Sequence, residues 1–569
     1  MYRKLALSAI FLSLTVLAAC GKDQAYPYRW VYAFGKNLST DKGTEELLEI
    51  AKTCAGHGIN GIALPGRIGQ LSIKNPEYIA NLKKVNDYCR QHGVDIIPAM
   101  WSIGYGSGLD YDKNLAEGLP VTDALFVVKG GEAWLAPDPA VRVANGGFEK
   151  IEGDFPAGFE PLAARGEVIF VDREVAKDGK ASMRFEVAGE YPEESALLSQ
   201  EVAVHPGRCY RLSGWVKTEG IESRGDVFPL IVKSRDGRRL QYYIPKVEAT
   251  GDWTRVDLGF NSLGYDTVIV AVGAPASNGG RFWVDEISIG EVGLVNVLRR
   301  PGTPVIVKSD KDGTVYEEGA DYAEIADPEL NFRFDHQGPA IRILPGGKIR
   351  DGERLRVSWY HGLTVYYEQV TVCMSEPELY EFWARNARLI HETLAPRYYM
   401  LNMDEIRMGG TCEACRKRGI SIAEMLGQTI TKQVEIIHEV NPQAQVFIWS
   451  DMLDPNHNAG PRAGGYMKDY YYHVNQSYEG SWNYIPKDLV IVCWYHKMRD
   501  KSLPHFSGLG FRTMAGAYYD ADDLENVKDW LVSLDKTPGA SGIMYCSWSN
   551  KFGLLGDFGD LVSKHRRPQ

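Results

Sequence analysis

The chain is short of the features that mark a disulfide scaffold, a nucleic-acid binder or a multispan membrane protein. Nine cysteines in 569 residues are too few for a disulfide framework, which crowds its bridges into a short chain. Basic residues are outnumbered, 63 Lys and Arg against 74 Asp and Glu, for a formal charge of −11. No basic stripe is visible, so nucleic acid is excluded as a partner. Past the first twenty residues no apolar run is long enough to span a bilayer. Aromatic side chains, by contrast, are plentiful: 13 Trp and 31 Tyr within an aromatic share of 11%. The length exceeds what one core usually fills, so two to four domains are expected.

The first residues read as an export signal. Arg3 and Lys4 precede an apolar stretch from Leu5 to Val16, which is too short for a spanning helix. Leu17-Ala-Ala-Cys20, with Gly21 behind it, resembles the bacterial lipobox. That resemblance implies a signal peptide over residues 1–20 and lipidation of Cys20 as the mature N-terminus. Asp23 lies beyond the position next to the cysteine, which by analogy with lipoprotein sorting leaves the outer membrane open. The expected location is the bacterial cell envelope, facing the periplasm or the cell surface. Ordinary secretion, with Cys20 incidental, is the alternative.

Strand-like and helix-like segments alternate from Arg29. Strands are expected at Arg29–Phe34, Ile59–Leu64 and Val94–Met100, with helices at Glu45–His57 and Pro76–His92. The pattern stops, then resumes with a helix at Glu376–Leu394. Strands follow at Arg397–Met403, Gln445–Trp449, Leu489–Trp494, Thr513–Tyr518 and Gly542–Trp548, with helices at Ile422–Val440 and Asp522–Leu534. Three strands before the gap and five after it make eight. The fold class is therefore α/β, a (β/α)8 TIM barrel interrupted after strand 3, with a doubly wound sheet as competitor. The barrel is expected over residues 26–140 and 373–562.

The interruption has its own organisation. Ala181–Val187, Cys209–Lys217, Leu240–Ile244, Trp253–Phe260 and Phe282–Ile289 are short alternating runs, which indicate a β-sandwich over residues 141–292. Its opening Asn145-Gly-Gly-Phe-Glu, central Tyr210-Arg-Leu-Ser-Gly-Trp-Val-Lys-Thr and closing Phe282-Trp-Val-Asp-Glu-Ile-Ser-Ile resemble sugar-binding jelly-roll modules. The resemblance implies that Trp215, Tyr242, Tyr243 and Trp253 can stack on a sugar, although aromatics in sandwiches more often belong to the core. Such a module can also hold a structural calcium ion; no other cofactor is expected. A small β domain over residues 300–372 completes the interruption. Its Lys308–Thr314 turn lacks the closing carboxylate of a calcium loop.

In a barrel the chemistry sits at the C-terminal ends of the strands. Asp404 and Glu405 end strand four, Asp451 ends strand five, and Asp520 follows strand seven. Adjacent carboxylates at the mouth of a buried strand are costly without partners or a task. Trp449, Trp494, Tyr518 and Trp548 end neighbouring strands, so an aromatic-walled acidic cleft is expected. Such a cleft suits an oligosaccharide or polysaccharide, whose cleavage needs one carboxylic acid and a second attacking or activating group. The structural alternative is that the two carboxylates cap loops or pair with Arg407. Arg67 and His496 follow strands two and six and are candidate contacts to substrate hydroxyls. His361 is a weaker candidate, and Arg29 falls at the opposite end. No metal is expected at the site.

The strand order, the Asp-Glu pair and the later tryptophans resemble the β-N-acetylhexosaminidase superfamily of glycoside hydrolases, family twenty, over residues 28–130 and 375–560. The resemblance implies that Glu405 is the general acid, raised by Asp404 and by the walls of Trp449 and Trp494. Asp404 would orient a 2-acetamido group whose carbonyl oxygen attacks the anomeric carbon. Tyr518 would hydrogen-bond that oxygen, and Trp494 and Trp548 would line the pocket. Asn402-Met403 stands where the family has a pair of glycines. Without an acetamido group, Glu405 and Asp451 form the natural carboxylate pair. A glycan-binding protein without catalysis, and another hydrolase or lyase on the same barrel, are the other classes.

Cys412-Glu-Ala-Cys415 reads as a local disulfide or metal clip bordering the cleft. Zinc would need two further ligands, and no second close cysteine pair supplies them. A thioredoxin-like redox role would need a different fold.

Overall fold

Eight short runs of Val, Ile, Ala, Met and aromatics are buried on both faces, as parallel strands sheathed in helices must be. In the computed structural model they close into a barrel of parallel strands. The structure describes residues 25–567 except 164, 187–195, 222–229, 242, 244, 246, 274–278, 461–472 and 475. Cys20 with its flanking segment, and Tyr242, lie outside the described residues.

The barrel strands are β1 (Tyr28–Ala33), β2 (Gly61–Leu64), β3 (Asp95–Met100), β4 (Tyr398–Leu401), β5 (Gln445–Trp449), β6 (Val490–Cys493), β7 (Arg512–Tyr518) and β8 (Ala540–Ser547). β8 pairs with β1 to close the ring. β3 pairs with β4 through Ala99↔Met400 and Met100↔Leu401, across the whole interruption. The surrounding helices include α1 (Asp41–Gly56), α2 (Pro76–Gln91), α3 (Pro377–Leu394), the short α4 (Glu413–Lys417) and α5 (Ile422–Val440). Their starts follow local chemistry: Thr40, Asn75 and Ser421 each cap a helix by accepting a backbone N–H. Pro76 and Pro377 occupy the first turn, where no N–H is needed. Among the described residues no helix is long and apolar enough to cross a membrane.

Side chains fill the barrel in layers. Tyr28, Trp30, Tyr398 and Phe447 plug the N-terminal end, with the Trp30 and Phe447 rings 4.3 Å apart and Tyr28 edge-on to Phe447 at 5.0 Å. Two residues further along β1 and β5, Tyr32 and Trp449 meet at 5.3 Å and begin the upper layer. The period-two alternation thus sends every second residue of β1 and β5 toward the axis.

The interruption contains two further units. A sandwich packs a five-stranded sheet against a four-stranded one around Phe148, Tyr210, Leu212, Val232, Phe260 and Val270. The five-stranded sheet runs Gly251–Asn261, Cys209–Glu219, Arg281–Glu291, Ser182–Glu186 and Ile169–Asp172. Leu240, Gln241 and Tyr243 form no strand, contrary to expectation; Gln241 instead binds the Gly259 carbonyl at 2.7 Å.

A separate five-stranded antiparallel sheet corrects one expected boundary. It joins Ile306–Ser309, Arg354–His361, Leu119–Lys129, Glu132–Leu135 and Ile341–Arg342. The hairpin Leu119–Leu135, assigned above to the barrel's first part, belongs here. Its in-out alternation, interrupted at a bulge at Thr122–Asp123, suits a sheet with one face on a core, not a barrel strand. The sandwich is therefore nested inside this small sheet, and the small sheet inside the barrel.

Phe447→Ala should test the lower plug, because it opens a cavity between three rings that cannot easily collapse. It should cost about 3–5 kcal/mol, read as a lowered melting temperature. A melt like that of the parent would show that the plug does not hold the barrel.

Candidate active site

The cavity at the C-terminal mouth of the barrel is where the strand ends converge. It encloses about 530 Å3 and is lined by Tyr105, Asp404, Glu405, Trp449, Trp494, Tyr495, His496, Lys497, Tyr519 and Trp548. That size lies within the ~300–1,000 Å3 of small-ligand pockets. Trp449 faces Trp548 and Trp494 at ring separations of 6.2 and 6.3 Å. Gly516 on β7 makes room for this cluster, since a Cβ there would stand 3.0 Å from the Trp449 ring.

The carboxylate pair follows β4 directly. Glu405 has a left-handed backbone, φ +47°, which costs a non-glycine residue roughly 1–2 kcal/mol. Hydrogen bonds hold it there. Its N–H donates to Asp451 Oδ2 at 2.9 Å, and its carbonyl accepts from Gln369 Nε2 at 3.1 Å. Gln369 is in turn bound by Arg407 Nη1 at 2.5 Å. Gly104, in the loop after β3, packs against the pair; a Cβ there would meet the Asp404 carbonyl at 2.8 Å. Only glycine fits that approach.

The two side chains have different surroundings. Glu405 Oε2 accepts from the Tyr105 hydroxyl and from Arg407 Nη2, the latter at 2.9 Å. Arg407 is buried and stacked over the Tyr366 ring, so the expected pairing with Arg407 is formed. Burial raises the Asp404 carboxyl well above its ordinary range, with the Asp451 and Glu405 charges adding to it. Burial there favours the protonated form of the Asp404 carboxyl.

Asp451 does not line the cavity. It is fully buried and accepts from the Glu405 N–H, from Asn458 Nδ2 at 3.0 Å and from Trp494 Nε1 at 3.3 Å. Burial pushes its carboxyl up to about 6. It braces the Glu405 backbone and the Trp494 ring from beneath.

The remaining candidates divide clearly. Trp449, Trp494, Trp548 and His496 line the cavity, with His496 Nε2 held by Asp529 at 3.1 Å. Asn402 lies below, its Oδ1 accepting from Tyr32 at 3.4 Å. Arg67 is exposed at the start of the turn after β2 and does not reach the cavity lining. Tyr518 is turned away and stacked on Tyr545 at 4.0 Å. Residues 518–520 all have positive φ, +83°, +55° and +57°, and this twist brings Tyr519 into the wall instead. Asp520 accepts from Ser547 Oγ at 2.5 Å and from the N–H groups of Trp548 and Ser549 at 2.9 and 3.0 Å, so it positions Trp548. His361 is buried far from the cavity against Asn261, and Arg29 binds the Tyr26 and Gly58 carbonyls at the barrel's other end.

Tyr105, Tyr495, Lys497 and Tyr519 were not among the expected residues. Tyr105 had a readable signal, because it follows β3 at the C-terminal mouth of the barrel. Tyr519 had none short of the backbone twist.

In the sandwich, Trp215 and Trp253 point away from its core, and Lys177 covers the Trp215 ring at 4.0 Å. Glu149 and Asp285 of the sandwich both accept backbone N–H groups. Among the described residues, metal-capable side chains gather in two groups, neither in the cavity. Glu329, Asp335 and His336 form one, and His336 there is bound to Asp327 at 2.8 Å. The other contains Cys412 and Cys415. Both are free thiols, as are all eight described cysteines, so the local disulfide is not formed.

No protein-family model matches the chain, and no curated protein matches it significantly. Among solved structures, a β-N-acetylhexosaminidase from Bacteroides fragilis aligns at 12% identity over 35% of this chain and 41% of its own, with a TM-score of 0.24. A xylan-binding domain from Paenibacillus barcinonensis aligns at 21% identity over 28% of this chain and 98% of its own, TM-score 0.20. A binding module solved with β-1,4-galactotriose aligns at 19% identity over 26% and 95%, TM-score 0.20.

The pair makes a test in pH. Folded Asp404 binds its proton more tightly than the unfolded chain does. Its contribution to stability therefore falls as pH climbs past the ordinary Asp value near ~3.9. Asp404→Asn removes that loss. The variant should melt above the parent at about pH 7, and the gap should close toward about pH 4. Equal melting temperatures at neutral pH would refute the raised carboxyl.

Proposed function

We propose that this chain is a glycoside hydrolase that cleaves β-linked N-acetylated sugars from glycans or polysaccharides. The observation that carries this reading is an adjacent carboxylate pair at a barrel-strand end, opening into an aromatic-walled cavity in which burial raises the Asp404 carboxyl. Two coupled carboxyls that share a proton titrate as a pair. When the N–H of a substrate acetamido group donates to Asp404, it favours the ionised form, and the proton passes to Glu405. Glu405 then protonates the glycosidic oxygen as the acetamido carbonyl oxygen attacks the anomeric carbon. The leaving sugar departs with that proton. Water, deprotonated by Glu405, opens the cyclic intermediate and restores the acetamido group.

The other residues position this chemistry. Trp449, Trp494 and Trp548 offer ring faces to the sugar, while Tyr105 and Arg407 fix the Glu405 carboxylate between them. Asp451 acts through the Glu405 backbone, so it is a positioning residue. Lys497 and His496 stand at the rim, where a flanking sugar would pass.

A hydrolysis screen tests the reading. Aryl β-N-acetylhexosaminides should be cleaved, matching glycosides without the acetamido group should not, and Glu405→Gln should lower the rate by about 10²–10⁴-fold. Cleavage of the plain glycosides alone would overturn the acetamido route while keeping the hydrolase. Tight glycan binding with no turnover would overturn the enzyme.

We also propose that Cys20 anchors the mature chain to the outer membrane; the support is Leu17-Ala-Ala-Cys20 and the short apolar run before it. The mature N-terminal peptide should carry the mass of a lipidated cysteine, and Cys20→Ala should leave the protein out of the membrane fraction. An unmodified N-terminus at another residue would rule the anchor out.

A further inference from the structure

Four buried side chains from three separate segments converge beneath the loop that leaves β4. Cys373 precedes α3, Cys412 and Cys415 flank the start of α4, and Glu117 lies at the end of the long loop that follows β3. All four are at most 1% exposed. Cys373 Sγ lies 3.4 Å from Cys412 Sγ and 3.5 Å from Cys415 Sγ, and Cys415 Sγ lies 3.4 Å from Glu117 Oε2.

Three thiols and a carboxylate packed together in a core have no apolar rationale, since a buried ionisable group needs a partner. A disulfide would use two sulfurs, at a separation of about 2 Å, and strand the third beside a buried carboxylate. A tetrahedral cation uses all four. Ligands about 2.3 Å from zinc stand roughly 3.8 Å from one another, so the observed spacing needs an expansion of only a few tenths of an ångström.

The surroundings are built for such an ion. Glu117 Oε1 accepts from the Thr411 and Cys412 N–H groups at 2.8 and 2.7 Å and from Thr411 Oγ1 at 2.9 Å. These bonds fix the carboxylate and leave Oε2 facing the sulfurs, the outer-shell orientation that metal ligands require. The segments carrying Glu117 and Cys373 are tied by Glu117 N–H to the Thr371 carbonyl at 2.8 Å and Cys373 N–H to the Leu115 carbonyl at 2.9 Å. Arg300, nearly fully buried, spans the Asn114 and Ala116 carbonyls and Glu376, and interacts with Cys412. Three thiolates and a carboxylate around a dication leave net negative charge, which Arg300 partly offsets.

We propose that Cys373, Cys412, Cys415 and Glu117 bind a structural zinc ion that clamps the loop leaving β4 to the loop leaving β3 and to the entry of α3. Soft thiolates select zinc over calcium or magnesium, and a closed set of four protein ligands leaves no position for substrate. The ion would brace the segment from Glu405 to Cys412 at its far end, opposite the bonds from Asp451 and Gln369.

The test uses the full chain, purified with a phosphine reductant and without chelator. Elemental analysis should find one zinc per chain. Chelator-stripped protein given Co2+ should develop the intense thiolate-to-cobalt absorption of a tetrahedral site, and zinc should then displace it. Glu117→Gln should weaken zinc binding by about 10-fold or more, and Cys373→Ser should abolish the cobalt band. If those variants fail to fold, the parent protein's zinc content and cobalt spectrum decide alone. Trace zinc with no thiolate–cobalt band, or a Cys412–Cys415 bridge in the protein as purified, would overturn the proposal.

Discussion

The pairing of β3 with β4 is the constraint on which the rest depends. Ala99↔Met400 and Met100↔Leu401 join them, and this seam carries the ring across two further β units before β8 closes it on β1. Because the strands run parallel, both leave the barrel at the same end, and their following loops must lie side by side. That adjacency puts Gly104 against the Asp404 carbonyl, Tyr105 on Glu405, and Glu117 beside Cys412. The cavity and the thiol cluster are thus two products of one seam, one above it and one behind it.

The electrostatics of the cavity follow from an asymmetry within an adjacent pair. Asp404 and Glu405 are neighbours in sequence, but the left-handed turn at Glu405 sends their side chains into different company. Glu405 reaches two donors, whereas Asp404 meets burial and the charges of Glu405 and Asp451. Two like groups with separated environments are how a site obtains an acid and an acceptor from one residue class. Removing Asp451 would disturb this twice, by releasing the Glu405 backbone and by withdrawing a charge that raises the Asp404 carboxyl.

Much of the architecture was legible in the sequence because barrel strands are short, doubly buried and punctuated by helices of a different period. Gln445–Trp449 and Ile422–Val440 are seen with the very bounds that the pattern gave. The strand-end rule also brought Asp404, Glu405, Trp449, Trp494 and Trp548 to one cavity. Failure came where backbone geometry overrode alternation. Tyr518 should face inward by parity with Met514 and Gly516, and three successive positive φ values turn it out. It came again where partners arrive singly from distant segments. Cys373 and Glu117 carry no spacing signal, so Cys412 and Cys415 looked like an isolated pair. The hairpin at Leu119–Leu135 was missed because its sheet partner, Arg354–His361, lies beyond the entire sandwich.

The nesting of these units also governs how the chain can reach its native state. On a ribosome, β1 to β3 emerge first as three parallel strands, and β3's partner edge then waits for a segment that is made only after the sandwich and the small sheet. The sandwich can close on itself, the small sheet closes only around a finished sandwich, and the barrel closes only around both. Pairings so distant in sequence fold slowly, and an open apolar edge is prone to aggregate meanwhile. A chain arranged in this way depends on the innermost module as a folding platform, whatever that module goes on to bind.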